Sequence, residues 1–493
     1  MQYMNRQKLK IHSVKYNFIM SMILKMSTFI FPLITFPYVS RILGPEGNGK
    51  IAFATSFVYY FTMVAQLGIP NYGVKVCAQC RDDREALSRT TQELFIISTV
   101  MMLLSYAVMT VLILTVPKLQ ESMVLLFISS VTLVLTSIGM EWFYRAIEQY
   151  DYITFRNIAF KIIAVVLMLC LVRKPEDYIL YGGITVIGNV GSNILNLIRV
   201  RRFIIIKPMG QYHILRHIRP TLTFFMLTVA STVYLNLDTV MLGFMTGDAE
   251  VGFYNAATKV KTILTSIVTS LGVVLLPRAS YYIKQKRNKE FSQIIQKSFQ
   301  FVIAMALPLT VYFIVEAGDA VQFLAGDGYA PAVQPMMIIM PTIFFIGLSN
   351  ITGIQILVPL DMEKYTTIST VWGAVVDLVL NAIFIPKYGA AGAAFGTLVA
   401  EIVVLAVQLF YLRGKLNGTF DLKDAAKVVL AAVCATVGLL LIKVFFTTDS
   451  SFINLLVTAI VFFGIDGLVL IITKEAIIKA YVLDKLKEKF IKK

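Results

Sequence analysis

Five basic side chains lie deep inside stretches of the chain that are otherwise apolar: Lys25, Arg156, Lys161, Lys259 and Lys261. A charge at the centre of a membrane-spanning helix costs ~2.5–3.5 kcal/mol on insertion scales, so such residues are expected to face an internal cavity. An ammonium group supplies a strong point charge and three donors to phosphate oxygens. The set predicts a substrate-binding cavity for a polyanion such as pyrophosphate, and snorkelling of each side chain to a headgroup region is the alternative.

A second set of buried polar residues is rich in side-chain oxygen. Asp377 and Asn381 are four residues apart, so both lie on one face of a helix. Together with Asp238 and Thr397, they are expected to coordinate a small hard cation such as Na⁺ or to form a protonation site. Ion pairing with a buried lysine is the competing interpretation. The sequence leaves the choice between Na⁺ and H⁺ open and predicts no other cofactor.

Other patterns in the sequence carry no predicted chemistry. Cys77 and Cys80 have the spacing of a metal or redox motif, but no second pair accompanies them. His213 and His217 lie four apart without a third ligand, so a solvated helix face is expected there. The sequence has no nucleotide-binding glycine motif and no loop long enough to hold a sugar-donor site, so we do not expect an enzyme.

The amino-acid composition predicts the kind of secondary-structure elements that position these residues. Of the 493 residues, 57% are hydrophobic and 15% are charged, which excludes a water-soluble globular protein. Because a span needs ~20 apolar residues, we predict an all-α integral membrane protein with about fourteen transmembrane helices. The predicted windows are 16–40, 51–69, 92–116, 122–141, 152–172, 178–198, 220–243, 251–277, 294–315, 333–357, 365–386, 390–410, 428–446 and 452–473.

The chain contains an internal repeat, since Ile51-Ala52-Phe53 returns as Val251-Gly252-Phe253. Repeats of this kind are typical of transporters, and an even number of spans in each half makes the two repeats parallel. We therefore predict two parallel six-helix lobes and a pair of additional helices. The predicted domains are an N-terminal lobe (1–198), a cytosolic basic amphipathic connector (199–219), a C-terminal lobe (220–410) and two further helices with a basic cytosolic tail (411–493).

The sequence also predicts a surface helix and several helix bends. The segment from Lys207 to Arg219 has the pattern of an amphipathic helix lying on the inner leaflet. Pro32, Pro37 and Gly373 mark points where a spanning helix could bend and so open or close a cleft.

The net charge of +16 could suggest a nucleic-acid partner, but its distribution argues against one. If the N-terminus is cytosolic, most of the 45 Lys and Arg residues lie in cytosolic segments, which is the positive-inside asymmetry of membrane proteins. The basic loops are therefore interpreted as topology signals that contact anionic membrane lipids. Both termini are predicted to be cytosolic.

Four short motifs occur in order along the chain. They are Arg41-Ile42-Leu43-Gly44-Pro45-Glu46-Gly47-Asn48-Gly49, Leu67-Gly68-Ile69-Pro70, Asn236-Leu237-Asp238 leading to Gly252-Phe253-Tyr254, and Ile385-Pro386-Lys387-Tyr388-Gly389. With these motifs, the whole chain resembles the polysaccharide-exporting flippases of the multidrug/oligosaccharidyl-lipid/polysaccharide superfamily.

That resemblance implies a fold like that of the multidrug and lipid II transporters. It implies translocation of an undecaprenyl-pyrophosphate-linked oligosaccharide from the inner to the outer leaflet of a bacterial cytoplasmic membrane, by alternating access of two lobes. A polysaccharide polymerase and glycosyltransferases are the protein partners it suggests.

The resemblance also bears on the ion-coupling residues. The related lipid II flippases have a sodium site to which Asp238, Asp377, Asn381 and Thr397 look like counterparts, although the Asp/Asn order in the eleventh span is reversed here. Among the cations, Lys25 alone sits where that branch has a first-span cavity arginine.

Two alternatives remain at this point. A multidrug antiporter of the same superfamily is disfavoured by the excess of lysines, since such proteins usually export cations. A polytopic glycosyltransferase or polymerase is disfavoured by the short loops.

Overall fold

The computed structural model describes residues 12–414 and 421–476, and these two ranges are helical almost throughout, with no strand. The helices are α1 (Val14–Gln66), α2 (Ile69–Gln79), α3 (Arg84–Thr115), α4 (Pro117–Gln120), α5 (Met123–Ile138), α6 (Glu141–Ala146), α7 (Tyr150–Leu171), α8 (Tyr178–Val186), α9 (Asn193–Val200), α10 (Leu215–Met245), α11 (Asp248–Lys284), α12 (Asn288–Val315), α13 (Ala317–Ala325), α14 (Val333–Ile339), α15 (Thr342–Asn350), α16 (Glu363–Tyr411), α17 (Leu422–Phe445) and α18 (Ser451–Ile472). Short 3₁₀ turns occupy Pro175–Asp177 and Asp327–Ala332, and π turns occupy Ile187–Gly191 and Ile351–Leu357.

The predicted all-α membrane architecture is confirmed. Within the described ranges, nine helices are long and apolar enough to cross a membrane, or ten if one bent pair forms a single span. Two predicted windows fall in α16, and two in α1 with the start of α2. The windows at 178–198 and 333–357 contain π turns, so continuous helices are fewer than windows. The number fourteen stays a prediction, and the extreme N-terminus and the basic C-terminal tail lie outside the described residues.

Two long helices contain a break at glycine. α1 breaks at Gly44 (φ 65°, ψ −177°) and α16 at Gly389 (φ 52°, ψ −129°). A side chain is strained in this part of φ/ψ space, so glycine allows the chain to leave one helical segment and enter the next. At Pro32, Pro37 and Gly373, where bends were expected, the backbone angles of α1 and α16 stay helical.

The chain divides into two compact units, Met1–Val233 and Tyr234–Lys493. The division falls inside α10, beyond the expected connector, because the connector bonds to α3 of the first unit. The Gln92 side chain donates to the carbonyl of Ile205 at 2.6 Å, and the Glu93 carboxylate accepts from the backbone N–H of His213 at 2.7 Å. The segment before α10 is thus tied to the first unit.

The helix predicted over 207–219 is wrong for its first half, since α10 begins only at Leu215. Pro208 lacks a backbone donor, and Gly210 has a φ of +68°, so neither favours a continuous helix there. The solvated position expected for His217 is also wrong. Its side chain is only 1% exposed and lies 2.7 Å from the carboxylate of Glu93.

The two additional helices, α17 and α18, pack on α12 within the second unit. One apolar cluster joins Val428 and Ala431 of α17 to Ile303 of α12. At the other end of α17, the Lys443 ammonium lies 2.9 Å from the buried Glu316 carboxylate. Apolar packing and this ion pair together fix the C-terminal pair to the bundle.

We expect Gly389→Ala to lower the free energy of unfolding by more than the ~1–3 kcal/mol of backbone strain at such positions. The added Cβ would also collide with the carboxylate of Glu250. Gly44→Ala, where a Cβ meets open space, should show the backbone cost alone, and Gly464→Ala, in the regular helix α18 with open space around it, should show no loss. Unfolding in detergent measures all three, and a Gly389→Ala protein as stable as Gly464→Ala would contradict the role of the break.

Candidate functional site

A buried cluster of polar side chains joins three helices of the second unit. Asp238 lies on α10, Tyr254 on α11, and Asn381 and Thr397 on the two halves of α16. Oδ2 of Asp238 accepts hydrogen bonds from the Tyr254 hydroxyl and from Thr397 Oγ1, the latter at 2.9 Å. Oδ1 of Asp238 accepts from the Asn381 amide at 2.6 Å. Three of the four predicted ion-coupling residues are therefore in direct contact.

Asp377, the fourth, lies one helical turn before Asn381 and is fully buried. Neither of its carboxylate oxygens, nor Oδ1 of Asn381, has a hydrogen-bond partner within the described part of the chain. The carboxylates of Asp377 and Asp238 interact electrostatically. Two buried carboxylates close together are costly unless a cation or a proton neutralises them. The cluster thus combines excess negative charge with unsatisfied oxygens.

The local sequence of α16 makes this close approach possible. The Glu250 carboxylate of α11 accepts from the backbone N–H of Ala390 at 2.7 Å, at the start of the second half of α16. A Cβ at Gly396 would collide with the Asn381 amide, so only glycine lets the two halves of α16 come together here. The break at Gly389 and the small side chain at 396 therefore place Thr397 against Asp238.

Tyr254 was not among the predicted site residues. It is buried, and its hydroxyl lies 3.0 Å from Thr397 Oγ1 in addition to its bond to Asp238. The sequence feature that could have pointed to Tyr254 is its position at the end of the Gly252-Phe253-Tyr254 motif. Sequence spacing alone does not reveal that this hydroxyl points to a carboxylate on the preceding helix.

Two further charged groups lie near the acidic cluster. Lys261, half-buried on α11, attracts the Asp377 carboxylate, and Glu401, buried on α16, repels it. Lys261 is also one of the residues predicted to line the substrate cavity, and that role stays a prediction. Lys259, also half-buried, lies on the same helix.

Arg156 of the first unit is held within a buried network. Its side chain is 1% exposed and donates to the Glu141 carboxylate at 2.9 Å. The same guanidinium donates to the carbonyl of Ser192 and to Asn193 Oδ1, each at 3.2 Å. All of these partners are protein groups of the first unit, so the geometry favours a structural role for this cation.

Lys161 and Lys25 have different environments from that of Arg156. The Lys161 ammonium donates to the Ser27 hydroxyl at 2.9 Å and lies 5.6 Å from the centre of the Phe31 ring, with no carboxylate bonded to it among the described residues. Lys25, two residues before Ser27 on α1, is exposed, and the described ranges provide no bond to its ammonium. Neither ammonium group is therefore paired with a carboxylate among the described residues.

The acidic cluster has the chemistry of a site for a small cation. Hard cations take carboxylate, amide and hydroxyl oxygens as ligands, and Asp238, Asp377, Asn381 and Thr397 supply all three kinds. The unpartnered oxygens of Asp377 and Asn381 are those a cation would satisfy. The residues present therefore fit Na⁺, and protonation of a carboxylate would meet the same demand.

An all-helical, multi-span architecture with buried ionisable residues in its spans defines a polytopic membrane transporter. The chain belongs to the polysaccharide biosynthesis protein family, whose model matches residues 14–283. A second model, MatE, matches residues 224–383. The enzyme alternatives are set aside.

Sequence relatives include transporters and flippases. The chain is 25% identical over 412 residues to a putative O-antigen transporter of Escherichia coli K12, covering 83% of this chain and 98% of that protein. It is 23% identical over 183 residues to the probable flippase AglR of Haloferax volcanii, covering 36% of this chain and 37% of that one. The first similarity spans nearly the full length of the relative.

Solved structures share the fold at low sequence identity. The lipid II flippase MurJ in an inward closed conformation has a TM-score of 0.69 at 15% identity and covers 92% of this chain and 99% of its own. An inward-facing multidrug resistance MATE family transporter of the MOP superfamily has a TM-score of 0.57 at 13% identity and covers 82% and 98%. The predicted superfamily fold is confirmed.

If Arg156 is a structural cation, Arg156→Gln should lower the free energy of unfolding by about 3 kcal/mol, the lower part of the range for losing one partner of a buried ion pair. The lower part applies because Glu141 keeps a second partner, Arg145, at 2.6 Å. Arg145→Gln is the matched control, since that pair is half exposed and such pairs contribute under about 1 kcal/mol. Equal stability of the two variants in a denaturant titration would show that the buried network is dispensable.

Proposed function

We propose that this transporter is a flippase that moves a lipid-linked oligosaccharide, a surface-polysaccharide repeat unit on undecaprenyl pyrophosphate, from the inner to the outer leaflet. The observation that carries the proposal is the set of uncompensated charges inside the spans: two lysines without a bonded carboxylate in the first unit and two neighbouring carboxylates in the second. The O-antigen transporter and flippase names of its relatives support this class of cargo.

The cations supply the anion-binding part of the proposal. Lys161 and Lys25 would contact the pyrophosphate, because their ammonium groups provide charge-assisted donors to its oxygens. Lys259 would contribute in the second unit. Arg156 would act indirectly, by fixing α7 against α6 and the turn before α9, and Lys261 would moderate the charge of the acidic cluster.

The acidic cluster supplies the coupling part of the proposal. Asp238, Asp377, Asn381 and Thr397 would hold Na⁺, or one of the carboxylates would take up H⁺, and Tyr254 would orient the Asp238 carboxylate. Either cation would neutralise the repulsion between Asp238 and Asp377 and so favour the conformation in which α10, α11 and α16 are bonded together. Asp238 and Asp377 thereby link the energy of an ion gradient to a change of conformation.

The proposed setting is a bacterial cytoplasmic membrane with both termini in the cytosol. The excess of basic residues in the loops predicted to be cytosolic supports this orientation. Glycosyltransferases that build the lipid-linked unit and a polymerase that consumes it are the proposed partners.

For the cation proposal, Lys161→Ala and Lys25→Ala should each reduce polysaccharide export about ten-fold or more. A charged hydrogen bond contributes ~1.5–3 kcal/mol, and each 1.4 kcal/mol is a factor of about ten. The measurement is surface polysaccharide at native expression in a strain lacking its own copy of the gene, with inner-leaflet accumulation of the lipid-linked unit as the second readout.

Lys289→Ala, an exposed lysine at the start of α12, is the matched control and should export normally. Normal export by both cavity variants would remove the cationic cavity from the proposal. Resistance to cationic drugs on overexpression, without any effect on polysaccharide, would instead favour the multidrug antiporter.

For the coupling proposal, Asp238→Asn and Asp377→Asn should abolish gradient-driven flipping in proteoliposomes, because each removes a charge that the ion neutralises. Separate Na⁺ and pH gradients identify the ion. Asp466→Asn is the matched control, since Asp466 is buried in α18 and outside the cluster. Flipping by Asp238→Asn at the wild-type rate under both gradients would refute coupling at this site.

A further inference from the structure

A cavity of about 400 Å³ lies in the first unit, and none of the residues proposed to bind substrate or coupling ion lines it. α2, the start of α3 and the start of α10 contribute its walls. The lining that matters for its chemistry consists of Tyr72, Cys80, Arg89, Thr90, Arg216 and His217. The volume is within the range of small-molecule sites, ~300–1,000 Å³. We refer to it as the α2–α10 pocket.

Two guanidinium groups line this pocket. Arg89 is half-buried, its Nε is buried without a hydrogen-bond partner, and the described residues provide no ion pair to it. Arg216 donates to the Glu93 carboxylate at 2.6 Å through Nη2, and its Nε lies 3.2 Å from Nε2 of His217. A guanidinium has five N–H donors, so most of those on Arg216 are left for another acceptor.

The acidic groups nearest to the pocket are already satisfied. Glu93 accepts from the backbone N–H of His213, from Arg216 and from His217, which also lies 2.8 Å from the Tyr72 hydroxyl. Asp83 accepts from the backbone N–H groups of Glu85 at 2.9 Å and Ala86 at 3.2 Å, as the cap of α3. Neither carboxylate is paired with Arg89, so the Arg89 guanidinium has no ion-pair partner among the described residues.

Thr90 adds a neutral donor beside the two arginines. Its oxygen is positioned to accept from the Cys80 thiol at 3.9 Å, which leaves the hydroxyl proton for a ligand. A planar guanidinium binds phosphate oxygens in a bidentate manner, and the half-buried position of Arg89 reduces competition from water.

We propose that the α2–α10 pocket binds the phosphate group of an anionic ligand, with Arg89 as the principal contact and Arg216 and Thr90 as further donors. The space beyond one phosphate suits a phosphate ester, either the headgroup of a surrounding phospholipid or a free phosphate compound. The pocket is formed by segments predicted to be cytosolic, where anionic lipids attract basic residues. This site is independent of the proposed transport function.

The test uses Cys80 as a reporter in the full-length protein, with Cys77, Cys170 and Cys434 replaced by serine, in phosphatidylcholine nanodiscs. Burial raises the pKa of the Cys80 thiol, so labelling by a small uncharged maleimide is measured at mildly alkaline pH. Millimolar inorganic phosphate should slow labelling several-fold relative to chloride at equal ionic strength. Nanodiscs containing phosphatidylglycerol should do so without added phosphate if the ligand is a lipid.

Arg89→Gln should abolish the protection and Arg89→Lys should keep part of it, and melting temperatures verify that each variant is folded. Arg84→Gln, an exposed arginine on the first turn of α3, should keep full protection. Protection by phosphate identifies a free ligand and protection by phosphatidylglycerol a lipid. Protection by neither probe, or protection that persists in Arg89→Gln, would overturn the proposal. Because labelling does not require transport, its result is separate from that of the export assay.

Discussion

In a hydrocarbon environment, a carboxylate must find its partners inside the protein, because no water is present to solvate it. The hydrogen bonds of Asp238 meet this constraint by joining α10, α11 and both halves of α16. The glycine break in α16 and the small residue at 396 are arranged around these bonds. Asp377 lacks equivalent partners within the described residues, which makes the cluster responsive to an added positive charge.

The same constraint explains other parts of each unit. In the first unit, the buried Glu93 binds the connector ahead of α10 and thereby draws that segment into the bundle. Arg156 and Glu141 join three neighbouring helical segments by an ion pair and backbone contacts. In the second unit, Glu316 and Lys443 fasten α17 to the end of α12. Some buried ionisable groups thus hold helices together by ion pairs and hydrogen bonds, whereas others lack such partners among the described residues.

Much of this architecture could be predicted from the sequence, because apolar length and basic loops report directly on membrane spans. The convergence of Asp238, Asn381 and Thr397 followed from a family resemblance and from i, i+4 spacing. Tyr254 could not be found in this way, since its bond depends on the rotation of α11 relative to α10. The helix predicted over the connector and the solvated position predicted for His217 were wrong for a related reason: a histidine in an apolar context looks the same in sequence whether it faces solvent or a buried carboxylate. The same ambiguity applies to an arginine such as Arg156.

The order of the two polar residues on α16 has an evolutionary consequence. The amide of Asn381 donates to Asp238, while Asp377, a turn earlier, supplies the second carboxyl group. If only position 381 changed to Asp, two carboxylates would face one another, and if only position 377 changed to Asn, the cluster would lose a charge. Either single substitution towards the reversed Asn/Asp order would therefore impair the protein. Positions 377 and 381 are thus expected to change as a pair between lineages.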